Sequence, residues 1–132
     1  MFRITADAAG TPLVATKGPA LLVHGMFSEP TDFFIQNDML TPGLPVQMAL
    51  EGYDVWVGCT RGRGYTLDFD ESKLDPANYW EFSYEDIGNE DIVSMVDRII
   101  AERNSPSDGC SKITIVTHST GANAVLVAAS EP

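Results

Sequence analysis

The sequence predicts an α/β fold with a mostly parallel sheet and flanking helices. Three segments, Ala20–Val23, Tyr53–Gly58 and Lys112–Thr117, are rich in the aliphatic, β-branched and aromatic residues typical of strands. Apolar residues recur at helical spacing over Ser83–Asn104, and the Ala-rich segment Ala122–Ser130 follows the third strand. Strands that alternate with helices form βαβ units with right-handed crossovers, so we expect helices on both faces of the sheet.

Two weaker strands and one irregular connection complete this assignment. Phe2–Thr5 and Pro12–Thr16 are short candidate strands, separated by a turn signal at Gly10. Thr60–Trp80 carries several glycine and acidic residues and predicts a long irregular segment. The chain has 132 residues and no internal repeat, which predicts one domain over residues 1–132.

The helix ends carry recognisable signals. Pro42–Glu51 has the length of a short helix, with Thr41 as its N-cap and Gly52 as its stop. Ser83 is the expected N-cap of the longer helix, and Asp86 three residues later forms an imperfect capping box.

The composition narrows the function classes. The formal net charge is −11, with 19 acidic and 8 basic residues. This balance argues against nucleic-acid binding and against electrostatic docking on anionic lipid, because both need clustered Lys and Arg. No apolar run approaches the roughly 18 residues of a membrane span. Cys59 and Cys110 allow one bridge but no disulfide scaffold, and their redox state is left open.

The most informative motif is T-H-S-T-G at residues 117–121, between an apolar strand and an Ala-rich helix. This context is typical of a nucleophile elbow, whose usual form is G-x-S-x-G. A sharp bend there holds the oxygen of Ser119 above the sheet, next to the unpaired amides of a helix N-terminus. Gly121 keeps the second glycine, whereas Thr117 stands in the place of the first. The alternative is an ordinary strand–helix turn with a buried His-Ser pair.

A second motif, His24-Gly25-Met26, directly follows the Ala20–Val23 strand. In hydrolases with an elbow, the loop after an earlier strand supplies the second oxyanion amide. The predicted donors are therefore the backbone N–H groups of Met26 and Thr120. Alternatively, His24 is a core histidine whose hydrogen bonds are satisfied beside a turn glycine. The two motifs in this order are a stronger signal than either motif alone.

These segments resemble the N-terminal part of the acid lipase family of α/β-hydrolases, the lysosomal acid and gastric lipase group. The most specific features are G-Y-D-V-W over 52–56 and the Arg61-Gly62 pair. The resemblance covers nearly the whole chain and includes Phe2–Asp7, Gly18–Met26, Leu44–Pro45, Glu51–Gly58, Trp80–Ser83, Asp86, Asp91, His118–Gly121 and Pro132.

The resemblance implies a partial α/β-hydrolase core and hydrolysis of a lipid carboxylic ester, such as a triacylglycerol or sterol ester. It assigns Ser119 as the nucleophile and the amides of Met26 and Thr120 as the oxyanion hole. Thr120 stands where the family usually has glutamine, a change that a backbone donor tolerates. The implied reaction requires no metal or organic cofactor. The family also implies secretion or a lysosomal location, but Met1–Gly10 has no signal-peptide pattern, which leaves the compartment open.

The triad order of this fold is Ser, then an acid, then His, and the sequence after Ser119 holds no His or Asp. The chain is therefore expected to be a fragment that lacks the catalytic Asp and His, the later strands and the cap, and to be inactive by itself. Its last strand would then form an open apolar edge capable of self-association. The alternative function is a non-catalytic hydrolase-like module that binds a partner through this edge.

Four further groups of residues have a functional and a structural interpretation. Asp68, Asp70, Glu71 and Asp75 are acidic, but their spacing is not that of an EF-hand, which favours a solvated loop. The R-G-R-G sequence over 61–64 lacks the pattern of a phosphate loop and is expected to shape the connection after a strand. Cys59 is expected to be a buried thiol. Phe27, Phe33, Phe34 and Ile35 fit an acyl-binding wall and core packing equally well.

Overall fold

A computed structural model describes residues 1–7, 9–35, 41–67, 75–103 and 112–130. Its centre is a four-stranded sheet of β1 (Phe2–Arg3), β2 (Pro19–Val23), β3 (Asp54–Val57) and β4 (Thr114–Thr117), in the order β1-β3-β2-β4. Strands β3 and β4 pair parallel with β2 on its two sides, whereas β1 pairs antiparallel with β3. The sheet is therefore mixed and mostly parallel, which confirms the predicted α/β class.

Side chains alternate between the two faces of the sheet and build two apolar clusters. Leu21, Val23 and Trp56 contact Ile92, Met95, Ile99 and Ala124, which lie on helices of one face. Leu22, Val55 and Val57 point to the opposite face and contact Ala49 of α1 (Leu44–Leu50). Because side chains of both faces contact helices, every residue of β2 and β3 is buried, and Pro19–Val23 and Val55–Val57 are continuous apolar runs.

Helix α1 begins two residues later than the sequence predicts. Its N-cap is Gly43 rather than Thr41, and Pro45 rather than Pro42 occupies its first turn. Proline is accepted at either place because its missing N–H would have no intrahelical acceptor there. Gly52 has φ +92° directly after the helix and ends it, as predicted.

The long amphipathic segment is helical but not uniform. It consists of α2 (Tyr84–Asp86), a π-helical segment (Ile87–Ile92) and α3 (Val93–Glu102). The capping box is present as predicted, since the Ser83 hydroxyl accepts from the amides of Glu85 and Asp86 and the Asp86 carboxylate accepts from the Ser83 amide at 2.7 Å. These bonds hold the pKa of Asp86 below its ordinary value. The π-helical turn was not predicted from the sequence.

The second predicted N-terminal strand, Pro12–Thr16, is wrong. With the first strand region, the segment makes one isolated bridge, Ala6 with Pro12, and a hydrogen bond from the Leu13 N–H to the Thr5 carbonyl at 2.9 Å. Pro12 has no N–H to donate, and the amide of Thr16 donates instead to the Gly52 carbonyl at 3.0 Å.

The last elements lie close to where the sequence predicts them. Strand β4 is shorter than predicted, and α4 (Thr120–Ser130) begins two residues earlier. Strand β4 is an edge of the described sheet, and its residues are half-buried apart from exposed Thr114. None of the helices in the described ranges combines the length and the hydrophobicity that a membrane span requires.

Candidate active site

The predicted elbow lies at the bend between β4 and α4. Ser119 has φ +53° and is the one non-glycine residue with positive φ in the described part of the chain. An L-residue rarely adopts this conformation, because its β-carbon crowds the backbone, and such residues cluster at functional sites. Ser119 is exposed at the carboxyl end of the sheet. Thr117 is half-buried opposite Val23, so the bend forms with threonine in the place of the usual first glycine.

Two glycines let the elbow and the His24–Met26 loop approach closely. A β-carbon on Gly25 would lie 2.8 Å from the Ser119 Cβ and 3.2 Å from the His118 carbonyl oxygen. A β-carbon on Gly121 would lie 2.6 Å from the His24 carbonyl oxygen. Both separations are shorter than ordinary contacts, so neither position accepts a side chain without movement. The two motifs, 94 residues apart in sequence as counted from Gly25 to Ser119, therefore meet at one place.

The two proposed donors are backbone amides at the ends of local turns. Ser28 N–H donates to the Gly25 carbonyl at 3.2 Å, which closes a turn that contains Met26. Thr120 is the first residue of α4, where amides have no intrahelical acceptor. Within the described ranges, no hydrogen bond uses the amide of Met26 or of Thr120. Both N–H groups are thus available to an acceptor from outside the chain.

His24 is a buried structural histidine in this arrangement, with 2% of its surface exposed. The amide of Thr60 donates to its Nε2 at 3.2 Å, and its Nδ1 lies 2.8 Å from the Gly25 carbonyl oxygen. An amide can only donate and a carbonyl can only accept, so Nδ1 carries the proton and Nε2 does not. Both ring nitrogens are engaged, which agrees with the core interpretation of His24.

The Thr60 amide belongs to a loop that an ion pair holds in place. The amide of Arg61 donates to Asp91 Oδ2 at 2.8 Å, and its Nε donates to Asp91 Oδ1 at the same distance. Glu90 binds the guanidinium Nη2 at 2.5 Å. The hydrogen bond to Asp91 is the main cause that raises the pKa of Arg61 above its ordinary value. We refer to Arg61 and Asp91 together as the clamp.

Curated proteins that are similar to the chain include three that are named as lipases. The chain is 32% identical over 117 residues to "Lipase 1" of Drosophila melanogaster, 28% over 121 residues to "Triacylglycerol lipase 1" of Arabidopsis thaliana, and 25% over 130 residues to "Gastric triacylglycerol lipase" of Mus musculus. These matches cover 85%, 92% and 98% of the chain. The chain resembles the acid lipases. It spans 24%, 29% and 31% of the lengths of these three relatives, and no family model matches it.

In the described part of the chain, no side chain is hydrogen-bonded to Ser119 as a general base would be. His24 and His118 are the two histidines of the sequence. His118 is exposed, and His24 has no free ring nitrogen. Among the residues that the structure describes, no hydrogen bond links the Ser119 hydroxyl to a histidine or a carboxylate.

The four residues of the proposed acyl-binding wall, Phe27, Phe33, Phe34 and Ile35, differ in their exposure to solvent. Phe33 is half-buried and packs against the cluster around Leu22 and Ala49, which is the core interpretation. Phe27 is 91% exposed and Ile35 is 70% exposed, and Phe34 is also exposed. Phe27, which follows Met26 directly, is therefore the one of these four that lies next to the His24–Met26 loop in sequence and is open to solvent.

A cavity of about 680 Å³ lies beside the clamp, and Ser119 does not line it. Its wall includes Cys59, Arg61, Tyr79 and Phe82. Cys59 is a buried thiol as predicted, and burial raises its pKa, which disfavours the reactive thiolate.

Several predicted groups lie outside the described residues. Cys110 and the acidic residues Asp68, Asp70 and Glu71 are among them, as is Pro132. In the described ranges, no group of three His, Cys, Asp or Glu side chains could hold a metal ion.

The clamp was not predicted from the sequence. Arg61 was expected to shape the connection after a strand, and both Arg61 and Asp91 were counted only among the residues that resemble the acid lipases. The signal that could have found the pair is the Arg61-Gly62 sequence at a strand end, because an arginine there has few ways to satisfy its donors without a carboxylate.

Proposed function

We propose that this chain supplies the nucleophile and the oxyanion hole of a carboxylic ester hydrolase that acts on lipid esters such as triacylglycerols or sterol esters. The observation that carries the proposal is the left-handed conformation of Ser119 at a strand–helix bend. A packing turn would relieve this strain with glycine, whereas a nucleophile elbow needs a serine there. The names of the related lipases support lipid esters as the substrate class.

In the proposed reaction, the Ser119 oxygen attacks the ester carbonyl carbon and its proton passes to a general base. The carbonyl oxygen becomes the oxyanion of a tetrahedral intermediate and accepts hydrogen bonds from the amides of Met26 and Thr120. The N-terminus of α4 adds the positive end of its dipole. Collapse of the intermediate expels the alcohol, which takes up the proton, and water then releases the fatty acid from the acyl-enzyme. Loss of one oxyanion donor typically costs about 10²–10³ in kcat.

A fluorophosphonate probe tests the nucleophile in the protein expressed at the length that its gene encodes. We expect covalent labelling at Ser119, confirmed by peptide mapping, together with hydrolysis of a medium-chain ester. Both signals are lost in Ser119→Ala. Ser130→Ala is the matched control, because Ser130 lies on the same helix and its hydroxyl donates to the Val127 carbonyl of that helix at 2.8 Å. Equal hydrolysis in Ser119→Ala and the wild type would refute the assignment.

A second candidate function is a binding module that acts through the sheet edge. Strand β4 pairs with β2 on one side, and within the described residues no strand pairs with its other side. Such an edge can accept a strand from a partner or from a second copy of the chain. Sedimentation velocity over a range of concentrations tests self-association. A constant monomeric sedimentation coefficient combined with labelling at Ser119 would exclude this alternative in favour of the enzyme.

A further inference from the structure

We propose that Arg61 and Asp91 are positioning residues for the oxyanion hole, and that they act on the Met26 amide through Thr60 and His24. This inference rests on the proposed function, since the Met26 amide is its end point. Neither member of the clamp lies in the His24–Met26 loop or the elbow, so its effect must pass through intermediate contacts. The hydrogen bonds of the structure supply each of these contacts.

The first step is the peptide plane that joins Gly25 to Met26. The Gly25 carbonyl and the Met26 N–H belong to the same planar unit, and in a trans peptide they point in opposite directions. Two donors hold the carbonyl: His24 Nδ1 at 2.8 Å and the Ser28 amide at 3.2 Å. Whatever fixes the direction of this carbonyl therefore also fixes the direction of the Met26 N–H.

The second step is the tautomer of His24. Because the Thr60 amide donates to Nε2, the ring proton must lie on Nδ1, where it can donate to the Gly25 carbonyl. Without the Thr60 contact, the ring could carry its proton on Nε2 instead. Nδ1 would then present a lone pair to the carbonyl oxygen and repel it. The Thr60 amide thus selects the imidazole form that orients the oxyanion loop.

The third step is the anchoring of Thr60 by its neighbours. The Thr60 carbonyl accepts from the Thr66 hydroxyl at 2.7 Å, and the Arg61 N–H in the same peptide unit donates to Asp91. The Asp91 carboxylate also binds the Arg61 side chain, so one carboxylate holds both the backbone and the guanidinium of Arg61. Glu90 binds only the guanidinium, which makes Glu90 the natural control.

Two substitutions test the contacts of Asp91 and the contacts of His24 separately. Asp91→Asn keeps the shape of the side chain but places an NH₂ group against one of the two Arg61 donors. His24→Asn keeps a donor near the position of Nδ1 but is too short to reach the Thr60 amide. If Asp91 acts through His24, the effect of Asp91→Asn should largely disappear when His24→Asn is already present.

The first readout is the Met26 amide signal in a ¹H–¹⁵N spectrum of the methionine-labelled protein, which needs no catalytic activity. We expect Asp91→Asn to shift or broaden this signal, Glu90→Gln to leave it in place, and Asp91→Asn to add little in the His24→Asn background. An unchanged Met26 signal in folded Asp91→Asn would overturn the proposal. If Asp91→Asn does not fold, Asp91→Glu gives the same test, because the longer side chain keeps the charge but moves the carboxylate away from the position in which it accepts from the Arg61 amide.

The second readout is a kinetic double-mutant cycle with a soluble ester, in the protein expressed at the length that its gene encodes. We expect each single variant to lower kcat about tenfold with KM unchanged, since oxyanion contacts strengthen in the transition state. The double variant should also lose about tenfold rather than a hundredfold. Multiplicative losses, or changes in KM alone, would overturn the proposal. If Ser119→Ala leaves hydrolysis intact, the proposed function fails, and the Met26 signal still decides whether the clamp controls this amide.

Discussion

Gly25→Ala is the substitution with which the structure most directly tests the contact between the oxyanion loop and the elbow. The new β-carbon would lie 2.8 Å from the Ser119 Cβ. Carbon atoms pack best at about 3.5–4.0 Å, so the two backbones must separate by roughly 1 Å. A displacement of this size between reacting groups costs about 10²-fold in rate, which corresponds to about 2.7 kcal/mol of transition-state stabilisation.

The assay is kcat for a soluble ester in the protein expressed at the length that its gene encodes, measured with the thermal unfolding temperature of the same samples. We expect Gly25→Ala to lower kcat about a hundredfold and to destabilise the fold by about 1–3 kcal/mol, as overpacking does. Gly64→Ala is the matched control, because its β-carbon would meet only the flexible carboxylate end of Glu29. A folded Gly25→Ala protein with kcat within threefold of the wild type would show that the two motifs do not act together.

Three further predictions concern stability and use chemical or thermal denaturation. Gly121→Ala destabilises the protein, because a β-carbon 2.6 Å from the His24 carbonyl oxygen outweighs the gain in helix propensity of about 1 kcal/mol; a more stable variant would contradict the close approach. Ser119→Gly stabilises the fold by about 1 kcal/mol by relieving the left-handed conformation, while it abolishes hydrolysis; a loss of stability would argue against strain. Folding lowers the pKa of Asp86 below its ordinary value of 3.8. The Asp86 carboxylate therefore stabilises the fold at every pH above 3.8. This stabilisation is lost as the pH falls through the pKa that Asp86 has in the folded state. Asp86→Asn is therefore less stable than the wild type at pH 7, and the difference vanishes in strong acid; a difference that is independent of pH would refute the capping role.

The parts of the fold that the sequence predicts well depend on local chemistry. The continuous apolar run before His24 and the aromatic run before Gly58 predict β2 and β3, because both strands are buried on two faces. The Ser83 capping box and the Gly52 stop are correct for the same reason, since each feature depends on residues within one turn.

The parts that the sequence misses depend on distant partners. Pro12–Thr16 has residues typical of a strand. However, the amides of Thr16 and Lys17 donate to the Gly52 carbonyl, at 3.0 and 2.7 Å, instead of to a neighbouring strand. The π-helical segment places Gly88 so close to α4 that a β-carbon there would lie 2.6 Å from the Ala124 carbonyl oxygen. Helical spacing alone carries no information about this contact, which joins elements far apart in the sequence.

The candidate site is built in a way that makes the proposed chemistry compatible with sequence identities of only 25–32% to the three lipases described above. Its proposed oxyanion donors are backbone amides, and its close approaches are set by Gly25 and Gly121 rather than by matched side chains. Every residue except proline supplies a backbone N–H after the proposed nucleophile, so threonine at position 120 serves as well as another such residue. We therefore expect substitutions to lower activity most at two kinds of position: those with no space for a β-carbon, and those whose hydrogen bonds orient a peptide plane of the site. By that measure, Gly25 and His24 should tolerate less change than Met26 or Thr120, although only the latter two would touch the oxyanion.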